Sequence, residues 1–292
     1  MGDSAATRRA WRTRRAFALP LVVLLSMIAT MAIAVMLERQ GQQTKSTIRH
    51  MRWTQDRHLE RGVREITGAW LTGASRRLDD IAGEGGHAID LTMADGRTFR
   101  IDVEDAQGSI LTIFEGVSEA ELPFAEGAYD AILLRAPDDI TLDAWTRQVG
   151  PAAISAMTAP EDVLAAAAMP MIGEGPAAAM ARDIVLEREE AAQGVGTQWL
   201  RRIVAEYFTE LDQRRSVQRL ITANPSLWRL RITVLDRRGQ FSSMYEAIVE
   251  VDGREIRKRA DSGEFRPLGP FLLWRRLDDA QIEAALSGQT LN

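Results

Sequence analysis

Apolar residues run without a charge from Ala16 to Leu37 (AFALPLVVLLSMIATMAIAVML). As a helix the 21 residues from Phe17 to Leu37 would extend about 31 Å, against about 30 Å for the hydrocarbon core of a bilayer. The pattern therefore predicts a membrane-spanning helix over 17–37. Residues 38–82 contain no proline and are rich in Arg, Gln, Glu and Leu, so the helix is expected to continue as a stalk. Ile48, Met51, Leu59, Val63, Ile66 and Trp70 recur at helical spacing, which predicts one face packed on a domain. Gly83-Glu84-Gly85-Gly86 is the expected stop.

The period then changes to two. Ile89, Leu91 and Met93 alternate with polar residues, and Phe99, Ile101 and Val103 do the same after Asp95-Gly96. Asp-Gly between alternating runs predicts a hairpin over 88–104, and a third run at Ile110 to Phe114 is expected to extend it. From 117 to 220 alanine clusters punctuated by Pro and Gly predict helices. Strand patterns return at Trp228 to Leu235, at Tyr245 to Val251 after a turn at Arg238-Gly239, and at Phe271 to Leu277. The fold class expected is α+β, an antiparallel sheet packed on the stalk helix with an inserted all-α subdomain. The expected boundaries are a leader at 1–16, a span at 17–37, a stalk at 38–82 and the first part of the sheet at 87–116. The helical insertion follows at 117–220, the closing strands at 221–280 and a tail at 281–292.

Charge adds a direction. Arg8, Arg9, Arg12, Arg14 and Arg15 precede the span, so the N-terminus is expected in the cytoplasm with the bulk of the chain exported. A cleaved secretory signal is the competing expectation, because Ala32-Ile33-Ala34 has the small-x-small form that signal peptidase accepts. The leader is net +4, and the whole chain is net −5, which leaves −9 for residues 17–292. So acidic an exported part is a poor match for nucleic acid. Cysteine is absent, which excludes disulfides and thiolate metal sites.

Catalytic patterns are missing. There is no G-x-S-x-G, no S-x-x-K and no phosphate-binding loop, so no enzyme is expected. His50 and His58 read as solvated stalk positions, and His87, beside Asp90, reads as a turn histidine. Asp102, Glu104 and Asp105, and also Asp138, Asp139 and Asp143, are oxygen ligands of the kind calcium takes. Neither run has EF-hand spacing, and Asp138-Asp139 reads as a helix cap, so no cofactor is assigned and calcium stays open. Leu164, the turn Met171-Ile172-Gly173-Glu174-Gly175, Ala178, Ile184 and Arg188 fit a helix-hairpin-helix pattern, with Gly173 and Gly175 in its turn. Residues 160–190 hold seven acids and two arginines, so this hairpin is expected to pack or to contact protein, not DNA.

Three stretches together resemble the type II secretion (general secretion pathway) protein K family, the large minor pseudopilins. The basic leader with RRAFALPLVVLLSM is similar to a prepilin-type signal, which implies a prepilin peptidase cut between Ala16 and Phe17. Ile154 to Ala167 (ISAMTAPEDVLAAA) is similar to that family's I-N-x-N-T-A-P-x-x-V-L-x-A-L segment, with Met157 in place of Asn. LITANPSLWRLRITVLDRRGQFSSMYEAIVEV and the closing FLLWRRL are similar to its C-terminal strands. The fifth residue after the cut would be Leu21, where most major pilins carry Glu, and the family's members lack that Glu.

The resemblance implies a structural subunit at the tip of a pseudopilus. Its partners would be other minor pseudopilins, the prepilin peptidase and the inner membrane. Pro20 bears on the cut: with Phe17 as the N-terminus it falls in the first turn, where its missing N–H matters little. Uncleaved, the helix is expected to kink or to begin near Pro20. The alternative from the residues alone is a single-pass, membrane-anchored periplasmic binding protein with no pilus role.

Overall fold

The computed structural model describes residues 5–75, 77–191, 198–251 and 271–286. It divides into two compact units, Met1–Arg64 and Glu65–Asn292. The first unit is helix α1, which spans Ala5–Ala74 and whose last turns belong to the second unit. Pro20 lies inside α1, so the uncleaved chain neither starts its helix at Phe17 nor near Pro20. The missing N–H forgoes one bond, and long helix-forming runs on both sides carry the helix through.

Within the apolar run the hydroxyls are satisfied by the helix itself. Ser26 Oγ donates to the Val23 carbonyl at 2.8 Å, and Thr30 Oγ1 donates to the Ser26 carbonyl at 2.7 Å. No side-chain donor there needs water, a requirement for any segment in hydrocarbon. Leu21 to Leu37 are exposed around the whole circumference. Further along, Ile48 and Met51 are also exposed, so the expected packed stripe does not extend that far up the helix.

In the second unit Thr67 and Leu71 are buried, and α1 ends at Ala74, short of the expected 82. The chain restarts as α2 (Leu78–Gly83), with Leu78 buried. Gly85 and Gly86, at φ +106° and +79°, then turn the chain into the sheet. A Cβ on Gly86 would lie 2.8 Å from the Val103 carbonyl oxygen, so only glycine fits there.

The sheet has five antiparallel strands in the order β1 (His87–Thr92), β2 (Thr98–Asp105), β7 (Leu227–Leu235), β8 (Phe241–Glu250) and β9 (Leu273–Arg276). Both tight turns use the same chemistry. Met93 N–H donates to Arg97 O and Gly96 N–H to Met93 O, and Asp236 and Gly239 repeat that pair of bonds. Only the glycines, Gly96 at +83° and Gly239 at +74°, take positive φ. These are three-residue loops closed by a glycine bulge, not two-residue turns, and Asp95 and Asp236 each accept backbone N–H groups within the loop.

Alternation gives the sheet two unlike faces. Phe99, Ile101 and Val103 pair with Val234, Ile232 and Leu230 on the buried face. Across the other face runs a row of Asp102, Arg231, Glu246 and Arg275. Glu246, whose side chain is 2% exposed, meets Arg275 at 3.0 Å and Arg229 at 3.9 Å. Opposite charges directly across strands stabilise the pairing, and removing one partner would strand the other.

Between β2 and β7 in sequence lie α3 (Leu122–Arg135), α4 (Asp139–Trp145), α5 (Glu161–Ile172), α6 (Glu174–Ala191), α7 (Gln198–Tyr207) and α8 (Leu211–Leu220). Ala165 to Ala168 on α5 are fully buried, together with Ala128 and Ala131 on α3 and Ala177 and Ala181 on α6. Methyl-sized side chains let these helices approach closely. At Gly127 even a Cβ would come within 2.9 Å of Pro170. Asp138 caps α4, accepting from Thr141 N–H at 2.7 Å, as its position in the sequence suggested.

Short strands tie this region together. The run at Ile110 does not extend the hairpin: β3 (Ile110–Leu111) pairs in parallel with β4 (Thr146–Arg147) in a separate two-stranded sheet. Likewise β5 (Ile154–Ser155) pairs in parallel with β6 (Ile221–Thr222), so the closing part of the main sheet starts at Leu227, not at 221. The last helix, α9 (Asp279–Leu286), covers the start of the expected tail, of which residues 287–292 lie outside those described.

Candidate functional site

Two features of the chain are candidates for function: the apolar length of α1, and a cleft in the second unit at the junction of α2, β2 and the segment around Thr158. Leu21 lies on the first and is 56% exposed. Ala16 and Phe17, the expected cut, fall within the backbone span of α1, but their side chains lie outside the described residues. An apolar surface on all sides of a helix has two stable environments, lipid or other helices. By length and composition this is a helix able to cross a membrane, as a single span or a signal anchor.

The junction is built around two side chains that the sequence patterns did not single out. Gln107 is 1% exposed. Its Nε2 donates to Ala153 O at 2.8 Å, and its Oε1 accepts from Ser226 N–H at 2.7 Å and Leu227 N–H at 3.2 Å. One amide thus joins the end of β2, the loop before β5 and the start of β7. Gln107→Ala would leave the Ser226 and Leu227 N–H groups without their acceptor, while Arg147 still reaches the Ala153 carbonyl, and is expected to cost about 3 kcal/mol, read as a lower urea midpoint with an unchanged slope.

Arg147 works beside it. Its guanidinium donates to the carbonyls of Ser109, Val149 and Ala153 at 3.0, 3.0 and 2.9 Å, and also to that of Pro151. Burial lowers its pKa to about 10, with the charge of Asp105 acting in the opposite direction, so it stays protonated at neutral pH. Asp105 accepts from Gln107 N–H and from Thr158 Oγ1, each at 2.8 Å. Burial nonetheless raises its pKa, the hydrogen bonds and Arg147 only limiting the rise.

Of these groups Asp105 and Thr158 also line a cleft of about 800 Å³. Val103, Met157, Pro225, Trp199 and Trp228 supply apolar walls, and the two indoles are nearly fully buried and hence fixed. Asp79, Asp80, Glu104 and Asp105 line it as well, and among the described residues no Lys, Arg or His does. The segment from Ile154 to Ala159 is held there by Arg188, which donates to the carbonyls of Ala156 and Ala159 at 3.4 and 2.6 Å. Helical spacing and motif patterns could not find this site, because its parts come from five separate stretches of chain.

The remaining predicted residues are dispersed. Gly173 takes φ +79° as the whole link between α5 and α6, whereas Gly175 lies in the first turn of α6 with open space where a Cβ would stand. Only Gly173 therefore requires glycine in that turn. His87 lies on the edge strand with its Nδ1 3.1 Å from Asp102 Oδ1, and Asp90 is ion-paired with Arg100 at 3.0 Å. Glu104 pairs with Arg231 at 3.3 Å. Asp102, Glu104 and Asp105 thus serve three different partners, and among the described residues no group of three acidic or imidazole side chains is placed to hold a metal ion. No protein-family model matches this chain, and no curated protein or solved structure matches it either.

Proposed function

We propose that this chain is a minor pseudopilin of a type II secretion-like machine. In this reading the apolar part of α1 holds the subunit in the inner membrane, N-terminus in the cytoplasm and the rest of the chain periplasmic. After a prepilin peptidase cut between Ala16 and Phe17, the same surface packs against the helices of other minor pseudopilins. The observation that carries the reading is the exposure of α1 on every side from Leu21 to Leu37. Such a helix needs lipid first and can exchange it for other apolar helices at little cost, since both environments keep it from water.

The α+β architecture supports the same reading. The helices between β2 and β7 are taken as an inserted all-α subdomain that widens the tip, and α5–Gly173–α6 as a helix-hairpin-helix-like pair turned to protein contact. Leu21 at the fifth mature position suits a terminal subunit, which has no neighbour above it whose amine a Glu would neutralise. The role is structural, with no catalysis.

N-terminal sequencing of the membrane-extracted protein tests it. The expected mature start is an N-methylated Phe17, with other minor pseudopilins co-purifying and secretion lost on deletion. An intact Met1, or a start at Val35, would replace this reading with a membrane-anchored periplasmic binding protein.

A further inference from the structure

The cleft of the second unit is too well built to be a packing defect. Its walls are apolar and anchored by Trp199 and Trp228, and its volume of about 800 Å³ falls within the ~300–1,000 Å³ usual for ligand pockets. Its charge is one-sided. Of the four carboxylates lining it, Glu104 is answered by Arg229 and Arg231. Asp105 feels the charge of Arg147 from outside the cleft, and among the described residues Asp79 and Asp80 have no cation in its lining. The acids at Asp79 and Asp80 have an ordinary use in the first turn of α2, where they complement the helix dipole. That use does not account for Asp79, whose carboxyl is pushed up by burial first and then by the charges of Asp105 and Asp80. Asp105 has structural work, accepting from Gln107 and Thr158 with Arg147 nearby, but placing Asp79 and Asp80 beside it at an apolar hollow adds a repulsion that has no structural return.

We infer that this cleft is a docking site for a segment of a partner protein that presents lysine or arginine beside apolar side chains. Charge complementarity selects that occupant. The cation would sit between Asp79, Asp80 and Asp105, and the flanking apolar groups would cover Val103, Met157 and Pro225. Nucleic acid and anionic lipid headgroups carry the wrong sign, and an uncharged apolar peptide would leave the repulsion unrelieved. The scattering of Asp102, Glu104 and Asp105 among different partners disfavours a compact divalent ion, which needs several oxygens converging at one point. The inference rests on the cleft alone and stands whether or not α1 serves pilus assembly.

The test uses the full chain in a neutral detergent and two fluorescein-labelled octapeptides, one alternating arginine with leucine and the other glutamine with leucine. Fluorescence anisotropy is expected to show tighter binding of the arginine peptide, weakened by added salt. Asp79→Asn/Asp80→Asn should weaken it about fivefold, the scale of two partly exposed ion pairs. Ala82→Arg, which places a cation of the chain's own at the cleft, should abolish the preference while leaving the unfolding midpoint unchanged. Equal affinity for the two peptides, or an arginine-peptide affinity that both variants leave intact, overturns the inference. So does full displacement of the arginine peptide by micromolar calcium, which would make the cleft a metal site.

Discussion

Arg147→Met is expected to lower the thermal midpoint of the second unit by about 10 °C, from a loss of roughly 3–5 kcal/mol. Methionine matches the length of the stem but donates nothing, so the carbonyls of Ser109, Val149, Pro151 and Ala153 lose their shared donor. Arg147→Lys should recover only part of the loss, because one ammonium cannot reproduce a planar fork reaching four acceptors. The deficit should also depend on pH. Asp105 already has a raised pKa, and without Arg147 it rises further. A carboxyl whose folded pKa exceeds its unfolded value contributes stability below the unfolded pKa and loses that contribution as pH rises through the folded one. The gap between wild type and Arg147→Met should therefore be smaller near about pH 5 than near about pH 7.5. Differential scanning calorimetry at both values checks this, and a gap indifferent to pH would mean that Arg147 and Asp105 are not coupled.

Leu24→Arg/Ile28→Arg is expected to release the chain from membranes. Arginine near the centre of a span costs about 2.5–3.5 kcal/mol, so two cost roughly 5–7 kcal/mol. At a spacing of four they also charge one face of the helix, which spoils lateral packing as well as insertion. Alkaline carbonate extraction should move the variant from the pellet to the supernatant. Gln40→Arg/Thr44→Arg, with the same spacing beyond the apolar run, should stay in the pellet. Retention of the first variant would mean that something other than this run holds the chain.

Local pattern was enough for the elements with a strong period. The apolar run, the hairpin around Asp95-Gly96, and the strands at 228–235 and 245–251 follow from chemistry within a few residues. Their faces were legible too, since Ile101, Val103, Leu230 and Ile232 alternate with charges. Where pattern misled, distant partners had decided. Ile110-Leu111 has the composition to extend a hairpin, but Arg147 and the chain around Thr146 take it into a parallel pair elsewhere. The stalk pattern continues past Ala74, while the burial of Leu78 and the close approach of Gly86 to Val103 require the chain to break and turn there.

The sequence by itself determined the membrane-competent helix, the α+β class, the succession of the main strands along the chain and the acidic character of residues 17–292. Each depends on hydrophobic period or on summed charge, both of which are properties of the chain as written. Only the tertiary structure decided that β2 and β7 are neighbours across more than a hundred intervening residues, that Gln107 and Arg147 bind their junction, and that Asp79 and Asp105 face one cleft. Those are hydrogen-bonding and charge relations between residues far apart in sequence. No period encodes them, because each partner gains its meaning only from the group that folding brings to it.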